Sequence, residues 1–551
     1  MRKLFCKDIK NIYLNKKIIL YGWIQNKIIF KNFIVIILRD NSGTIKLNIL
    51  KENFKLYILN IIYNLNIESC IKIIGLVFLN SKHIIEINVK KFFLISKSDK
   101  LPIDINNKNI SEKNKLKFRY LYLRRSNILN NLKIKSKIIW YINYFMNKNK
   151  YIYIETPILS KPTLEGANNF LIRNYLKNKY MALSQSPQIF KQMLMISGVN
   201  KYYQLAKCFR NEDLRKDRQP EFTQLDIESS FVNEDYIINL SNKLICFLFK
   251  KILNIDVKNN ILEINYNKSI EMYGSEKPDL RNPLKIYNLV NILIENNFYI
   301  ENNHDFIYII PIKNNIDIKN NYNYILNYFK DIKCYIVNKF KFNEEILKIK
   351  INFINNFNIN IIKNIFINSI ENYNYSFFIV FISSYDCIFN IGKFIKNLSI
   401  KLNLINKKVY SLLWIKYFPM FVKKNNNYEC VHHPFTSPKF FNKNIDIIKD
   451  PDKIISNSYD LIINGVEIAS GSVRINNQIL QRKVFNILNI SKKDQNKNFG
   501  FFLNSLKYGT PPHSGIAFGL DRLIMVMKNI DNIKDVIAFP KSSSFYDFIT
   551  E

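Results

Sequence analysis

The sequence predicts an α+β protein of several domains, and three observations carry that reading. At 551 residues the chain exceeds what one hydrophobic core serves, so two to four domains are expected. From Lys16 to about Ser96 it alternates as strands do, with one helical interruption. Phe209 to Glu228, FRNEDLRKDRQPEFTQLDIE, carries ten charges of mixed sign in twenty residues and ends in the alternating run Phe222 to Glu228, which reads as strand, charged loop, strand.

The bulk numbers narrow the class. A net charge of +37 invites a polyanion partner. Lysine is overused together with Asn, Ile, Tyr and Phe in stretches without any motif, as in a chain from an A+T-rich genome, so charge alone decides nothing. The seven cysteines have no CxxC spacing, which points to a reducing, cytoplasmic compartment with neither zinc site nor disulfide framework. No apolar run approaches the ~18 residues of a membrane span, and MRKLFCKDIKN has no leader pattern.

In chain order, IILYGWIQ, FIVIILRD, a turn at Asn41-Ser42-Gly43, TIKLNIL, a helical stretch near Glu52 to Asn64, CIKIIGLVFL and HIIEINVKKFFLI give three strands, a helix and two strands. That order suggests a small five-stranded barrel of the OB type. Lys97 to Glu112 reads as a linker. A helix from about Ile128 to Lys148 leads into the proline-stopped strand YIYIETP. If Pro187 opens a helix, Gln188 and Lys191 share one face of it.

From Asn282 to about Lys408 the chain is repetitive, with Gly392 its sole glycine. His432 and His433 would point to opposite faces of an extended segment, which argues against a metal pair. Asp460 and Glu467, seven apart across a strand, turn and strand, can meet at one end of a hairpin; Mg²⁺ with nucleotide phosphates is one use of such a pair, and a surface carboxylate pair is the plainer one. Gly515 and Gly519 allow close backbone approach before a buried helix that carries Arg522 near its start.

A sheet face with fixed cations and anions suits a nucleotide triphosphate beside a zwitterionic amino acid, and the stretch around Arg210 resembles motif 2 of class II aminoacyl-tRNA synthetases, in wording like that of bacterial-type aspartyl-tRNA synthetases. YIYIETP resembles motif 1, and GIAFGLDRL, before Phe539-Pro540-Lys541, resembles motif 3. The resemblance implies an OB-fold anticodon-binding domain at 1–100, a hinge at 101–125 around FRYLYLRR, a catalytic domain with an antiparallel sheet flanked by helices at 126–281 and 409–551, and an inserted α/β domain at 282–408. Departures include Val35 where the family places an aromatic ring, Lys46 where it places a glutamine, Tyr122 and Tyr417 in aspartate positions, and Ala469-Ser470-Gly471 where it has two or three glycines.

The activity implied is aspartate–tRNA ligation: aspartate and ATP give aspartyl-adenylate and pyrophosphate, and the aspartyl group then passes to the terminal adenosine of tRNA(Asp), with tRNA(Asn) left open as a second acceptor. Such a reaction needs placement and charge neutralisation and no protein nucleophile. By resemblance Arg210 serves the α-phosphate and the amino-acid carboxylate, Arg522 the distal phosphates, and Asp460 and Glu467 a Mg²⁺ that arrives with ATP. Asn211, Glu212, Gln219, Gly519, Leu520 and Asp521 complete the ATP site, and Phe222 stacks on adenine.

Lys191 and Arg474, with His432 nearby, take the aspartate side chain, while Glu165, Ser186, Gln188, Asp226 and Glu228 hold the rest of the amino acid. Asparagine would then leave both cations unpaired, a penalty of about 1–3 kcal/mol per buried group. A homodimer and no membrane partner are implied. An asparaginyl-type enzyme would share the motifs but lack the paired cations; a non-catalytic tRNA-binding paralogue would be expected to have lost Arg210, Glu467 or Arg522, and all three are here.

Overall fold

The computed structural model describes residues 4–107, 109–162, 167–174, 179–295, 306–313, 316, 321–326, 328, 333–338, 375–383, 387–425, 427–439 and 449–550. The chain forms two compact units, Met1–Lys133 with Ile537–Glu551, and Ile134–Val536.

In the first unit, strands β1 (Lys17–Ile29), β2 (Phe33–Arg39), β3 (Thr44–Leu50), β4 (Cys70–Leu79) and β5 (Ile85–Ser96) close a barrel in the order β1-β2-β3-β5-β4, with the helix Leu56–Tyr63 between β3 and β4. Alternation fills it: Ile34, Ile36 and Leu38 point into the core while their neighbours point out. Gly75 lies where a Cβ would be 2.4 Å from Ile87 Cγ2, so only glycine lets β4 and β5 approach there.

Glu68 holds the turn before β4 in the left-handed region, at φ 68°, where a bulky residue is strained. Its buried carboxylate accepts from Arg39 at 2.6 Å and Arg124 at 2.7 Å, and Arg124 lies over the Trp23 ring at 5.3 Å. Arg39 closes this cluster within the barrel, and Arg124 ties the barrel to the segment 101–125 of the same unit. Glu68→Gln is expected to lower the stability of this unit by about 1.5–3 kcal/mol, the range for hydrogen bonds to a charged group. A urea midpoint indistinguishable from that of the unaltered chain would show that the cluster contributes nothing.

The second unit is built on an eight-stranded sheet of β6 (Ile152–Tyr153), β7 (Lys201–Phe209), β8 (Glu221–Ser230), β9 (Leu262–Asn265), β10 (Leu412–Lys416), β11 (Ser458–Ile463), β12 (Val466–Val473) and β13 (His513–Gly519). Their order is β9-β10-β11-β12-β13-β8-β7-β6. The six central strands are antiparallel; at the edges β9 runs parallel to β10 and β6 parallel to β7, so the sheet is mixed at its margins. Helices α1 (Gln188–Ile196), α2 (Glu234–Leu253) and α3 (Leu520–Met527) belong to the same unit.

A separate four-stranded sheet joins Tyr287–Asn288, Phe306–Lys313, Tyr375–Ser383 and Lys333–Asn338 in that spatial order, and the helix Ile388–Lys401 shares its core through Ile391, Phe394 and Leu398. Gly392, the sole glycine of that stretch, sits on this helix where a Cβ would be 2.2 Å from the Gly274 carbonyl. Among the described residues no helix is long and apolar enough to cross a membrane.

Candidate active site

The strand–loop–strand expected at Phe209–Glu228 is β7, the loop 210–220 and β8, with Gln204 opposite Asp226 and Tyr202 opposite Glu228. Period two places Phe222, Gln224, Asp226 and Glu228 on one face. Pro187 caps α1, whose inner side carries Gln188 and Lys191, both buried. Lys191 Nζ donates to Asp226 Oδ1 at 2.9 Å and lies 3.4 Å from Glu228 Oε2. Arg474, one residue beyond β12, grips Glu228 through Nε at 2.9 Å and Nη2 at 3.1 Å, and its Nη1 donates to Ser472. Gly515 of β13 faces Glu228 across the sheet; a Cβ there would be 1.9 Å from Glu228 Oε2. Glycine at that position is what admits the carboxylate.

These four charges have side-chain exposures of 5 % or less and balance in sign. Burial by itself would raise the pKa of Glu228, yet Arg474 and Lys191 outweigh it and hold the carboxyl below the usual carboxylate range. For Asp226 burial wins over Lys191, so its pKa is raised. Its Oδ2 is buried with no partner in the structure, as is Gln188 Nε2. These orphan atoms fit a ligand that brings both a cationic and a polar group.

The quartet corrects one expectation. Lys191 and Arg474 are each paired to a protein carboxylate, so asparagine would not leave them unpaired in the sense argued from the sequence. Each cation still has donors left over: an ammonium has three and a guanidinium five, and Glu228, Asp226 and Ser472 do not use them all.

A cavity of about 370 Å³ opens beside the quartet, lined among others by Arg210, Glu212, Gln219, Phe222, Glu467 and Arg522. The Arg210 guanidinium lies 5.1 Å from the centre of the Phe222 ring. Glu212 accepts from Arg218 at 2.7 Å, and Arg522 Nη2 lies 3.1 Å from Asp217 Oδ2. Asp521 is buried, accepting from the Thr223 amide at 3.1 Å and from Lys135 at 2.5 Å, so it ties the start of α3 to β8.

Asp460 and Glu467 lie on neighbouring strands, β11 and β12, and each feels the other's charge. Burial raises the pKa of Asp460, against His432; Glu467, although burial opposes it, is held low by Lys277 and Arg522. Lys277 Nζ is 2.8 Å from Glu467 Oε2. No group of three or more His, Cys, Asp and Glu side chains arranged to hold a metal exists among the described residues. Two carboxylates fit a hard cation whose other ligands are phosphate oxygens and water.

The two histidines depart from expectation. Residues 431–434 bend instead of running extended, so both rings line the same cavity. His432 Nε2 is 3.3 Å from Asp460 Oδ1; burial works against its charge, but Asp460 raises its pKa above the ordinary value. His433 is pushed well below that value by burial, Arg474 and Lys191. Its Nδ1 accepts from the Phe435 amide at 3.2 Å, which leaves Nε2–H as a buried donor with no partner in the structure. From sequence His433 carries no role beyond the metal pair argued against, and Lys277 and Asp217 carry none; only their place in space marks them.

Of the residues singled out from sequence, Ser186, Gln188, Lys191, Arg210, Glu212, Gln219, Phe222, Asp226, His432, Glu467, Arg474, Gly519, Asp521 and Arg522 line this one cavity. Glu228 and Asp460 stand behind it, each bonded to a lining residue, Leu520 is fully buried, and Asn211, between lining residues Arg210 and Glu212, pairs through its backbone with Asn168. Glu165 lies outside the described residues.

Comparison with known proteins follows the same lines. Residues 111–543 match the family model "tRNA synthetases class II (D, K and N)". The chain is 40 % identical to an aspartate–tRNA ligase of Buchnera aphidicola subsp. Baizongia pistaciae, over 99 % of its own length and 97 % of the relative's. It is 36 % identical to one of Mycoplasma capricolum, over 99 % and 96 %. In fold it resembles asparaginyl-tRNA synthetase from Pyrococcus horikoshii complexed with asparaginyl-adenylate, at a TM-score of 0.64, 18 % identity and 99 % coverage of both chains.

Proposed function

The chain belongs to the class II tRNA synthetases of the D, K and N group, and from that premise we propose how it works as an aspartate–tRNA ligase. The observation that carries the reading is the buried quartet Lys191, Asp226, Glu228 and Arg474 opening onto a cavity lined by Arg210 and Arg522. An amino acid that bears two carboxylates and an ammonium finds both signs there in fixed positions.

In the first step an oxygen of the aspartate α-carboxylate attacks the α-phosphorus of ATP, the bond to the bridging oxygen breaks, and pyrophosphate leaves. Arg210 neutralises the α-phosphate and steadies the attacking carboxylate, Phe222 supports the adenine, Glu212 and Gln219 orient the nucleotide, and Arg522 takes up charge on the departing pyrophosphate. The backbone and side chains of Gly519, Leu520 and Asp521 hold α3 so that Arg522 faces the cavity. Mg²⁺, when bound with ATP, adds positive charge to the phosphates, and Asp460 and Glu467 are the residues that would hold it. In the second step the hydroxyl of the terminal adenosine of tRNA attacks the carbonyl carbon of the adenylate and AMP leaves.

The Asp226 Oδ2 and Gln188 Nε2 atoms left without partners receive the substrate ammonium and a carboxylate oxygen. The spare donors of Lys191 and Arg474, with His433 Nε2–H and the charged form of His432, surround the side-chain carboxylate. The barrel reads the anticodon of tRNA(Asp), and charging of tRNA(Asn) as well would be decided there. Lys46 is not free in that region, being 3.0 Å from Glu86, which also accepts from Asn48 and Asn80. A homodimer is supported by the exposed Ile152 and Tyr153 on edge strand β6 and the exposed Ile158 and Leu159 just after it. The enzyme is read as cytoplasmic.

The direct test is amino-acid-dependent exchange of pyrophosphate into ATP by the purified chain. Aspartate is expected to support exchange, with asparagine and lysine at background. Exchange with asparagine would sink the role given to Lys191 and Arg474, and no exchange with any amino acid would favour a tRNA-binding protein without the chemistry.

A further inference from the structure

Two ion pairs at the nucleotide end of the cavity place protein charges where the ligand's own charges would fall. Arg522, read above as the partner of the distal phosphates, is held by the Asp217 carboxylate at 3.1 Å and lies 3.5 Å from the Asp217 carbonyl. Asp217 belongs to the charged loop 210–220, and it lines the cavity together with Arg522. Glu467, read above as a cation ligand, is held by Lys277 Nζ at 2.8 Å, and Lys277 is braced by Glu276 at 3.1 Å. Neither Asp217 nor Lys277 belongs to the machinery assigned so far.

The match in sign is the point. A carboxylate sits on the guanidinium that would meet phosphate, and an ammonium sits on the carboxylate that would meet a divalent cation. We infer that Asp217 and Lys277 are positioning residues, resident counter-ions that keep Arg522 and Glu467 neutralised and pointed into the cavity until nucleotide and cation replace them. The inference rests on the functional reading above and deepens it.

Exposure decides whether the exchange is easy. The four side chains are between 26 % and 42 % exposed, so each pair is weak, reachable by water and separable at small cost. A fully buried pair would be a lock. The quartet around Glu228, with exposures of 5 % or less, is of that second kind and stays intact.

Because each counter-ion competes with the ligand for its partner, removing its charge should strengthen binding, the reverse of what loss of a contact residue does. Asp217→Asn is expected to tighten metal-free binding of β,γ-methylene-ATP, measured by calorimetry on the full chain, by about two- to fivefold, the range for a pair of this exposure. Lys277→Met is expected to tighten binding of Mn²⁺, followed by the electron paramagnetic resonance of the free ion, by about the same factor. Asp217→Glu and Lys277→Arg keep the charge and should stay near the unaltered protein, which separates competition from a general change of structure.

Unchanged or weaker binding in both neutral variants would overturn the inference, since the residues would then be bystanders or ligand contacts. If the unaltered chain binds β,γ-methylene-ATP with Mn²⁺ and the variants do not differ from it, only this inference falls. Failure of the unaltered chain to bind the analogue at all would overturn the functional reading and the inference with it.

Discussion

Arg522→Ala is expected to lower aspartate-dependent exchange of pyrophosphate into ATP by about 10²–10³-fold, the loss seen when one group that stabilises developing charge is removed. The structure explains why the effect should fall on chemistry and leave the fold alone. Arg522 stands near the start of α3 with its side chain 26 % exposed, and its polar contacts are to Asp217 in the cavity loop. The buried side of that helix start is carried by Leu520 and Leu523, and Asp521 supplies the link to β8. Thermal unfolding of the variant should therefore match that of the unaltered protein.

The charge on the bridging oxygen of ATP grows as the phosphorus bond breaks, so the guanidinium is worth more to the departing pyrophosphate than to bound ATP. Loss of Arg522 should lower kcat more than it raises KM for ATP. A variant with unaltered kcat and raised KM would assign Arg522 to uniform binding and sink the transition-state role.

How much of this could be read from the chain depends on sequence distance. Asp226 and Glu228 were legible as a pair because strand alternation puts residues two apart on one face, and Gln188 and Lys191 because helical spacing does the same. The barrel was legible in its chain of strands for a like reason: each strand alternates, and the turns from β1 to β2, β2 to β3 and β4 to β5 are short. The partners of those side chains were not. Arg474 meets Glu228 only because β13 pairs with both β8 and β12, an order that no local pattern encodes.

The same gap led to the argument about asparagine. With Glu228 assigned to the substrate and Arg474 to the side chain, nothing in the sequence said that the two would neutralise each other. His433 was missed because opposite faces were inferred for an extended segment, whereas the chain bends at 431–434. Lys277 and Asp217 were missed because a lysine or aspartate in a charged stretch is ordinarily solvated. What marks them is two distances, 2.8 Å from Lys277 to Glu467 and 3.1 Å from Asp217 to Arg522.

The buried quartet supplies the second large effect. Glu228→Gln keeps the volume of the side chain but removes the charge that Arg474 grips twice and Lys191 approaches at 3.4 Å. Two cations, 5 % exposed or less, would be left with Asp226 alone, and a loss of about 3–5 kcal/mol follows from breaking a buried pair on one side. Combining Glu228→Gln with Arg474→Leu removes the orphaned guanidinium as well, so the double variant should be more stable than the sum of the two single losses predicts. Neither variant should activate aspartate.

Gly515→Ala reaches the same carboxylate from across the sheet, since the new Cβ would overlap Glu228 Oε2, and it should destabilise in the same direction. The pH dependence has a definite sign. Glu228 is held below its ordinary pKa, so its stabilising contribution is present above the ordinary carboxylate range and is lost as pH falls through the lower, folded-state value. Asp226, raised by burial, takes up its proton earlier on the same descent and contributes no such loss. The acid limb of the stability curve should therefore be shallower in Glu228→Gln than in the unaltered protein, and an identical acid limb in both would mean that the quartet is not ionised as described.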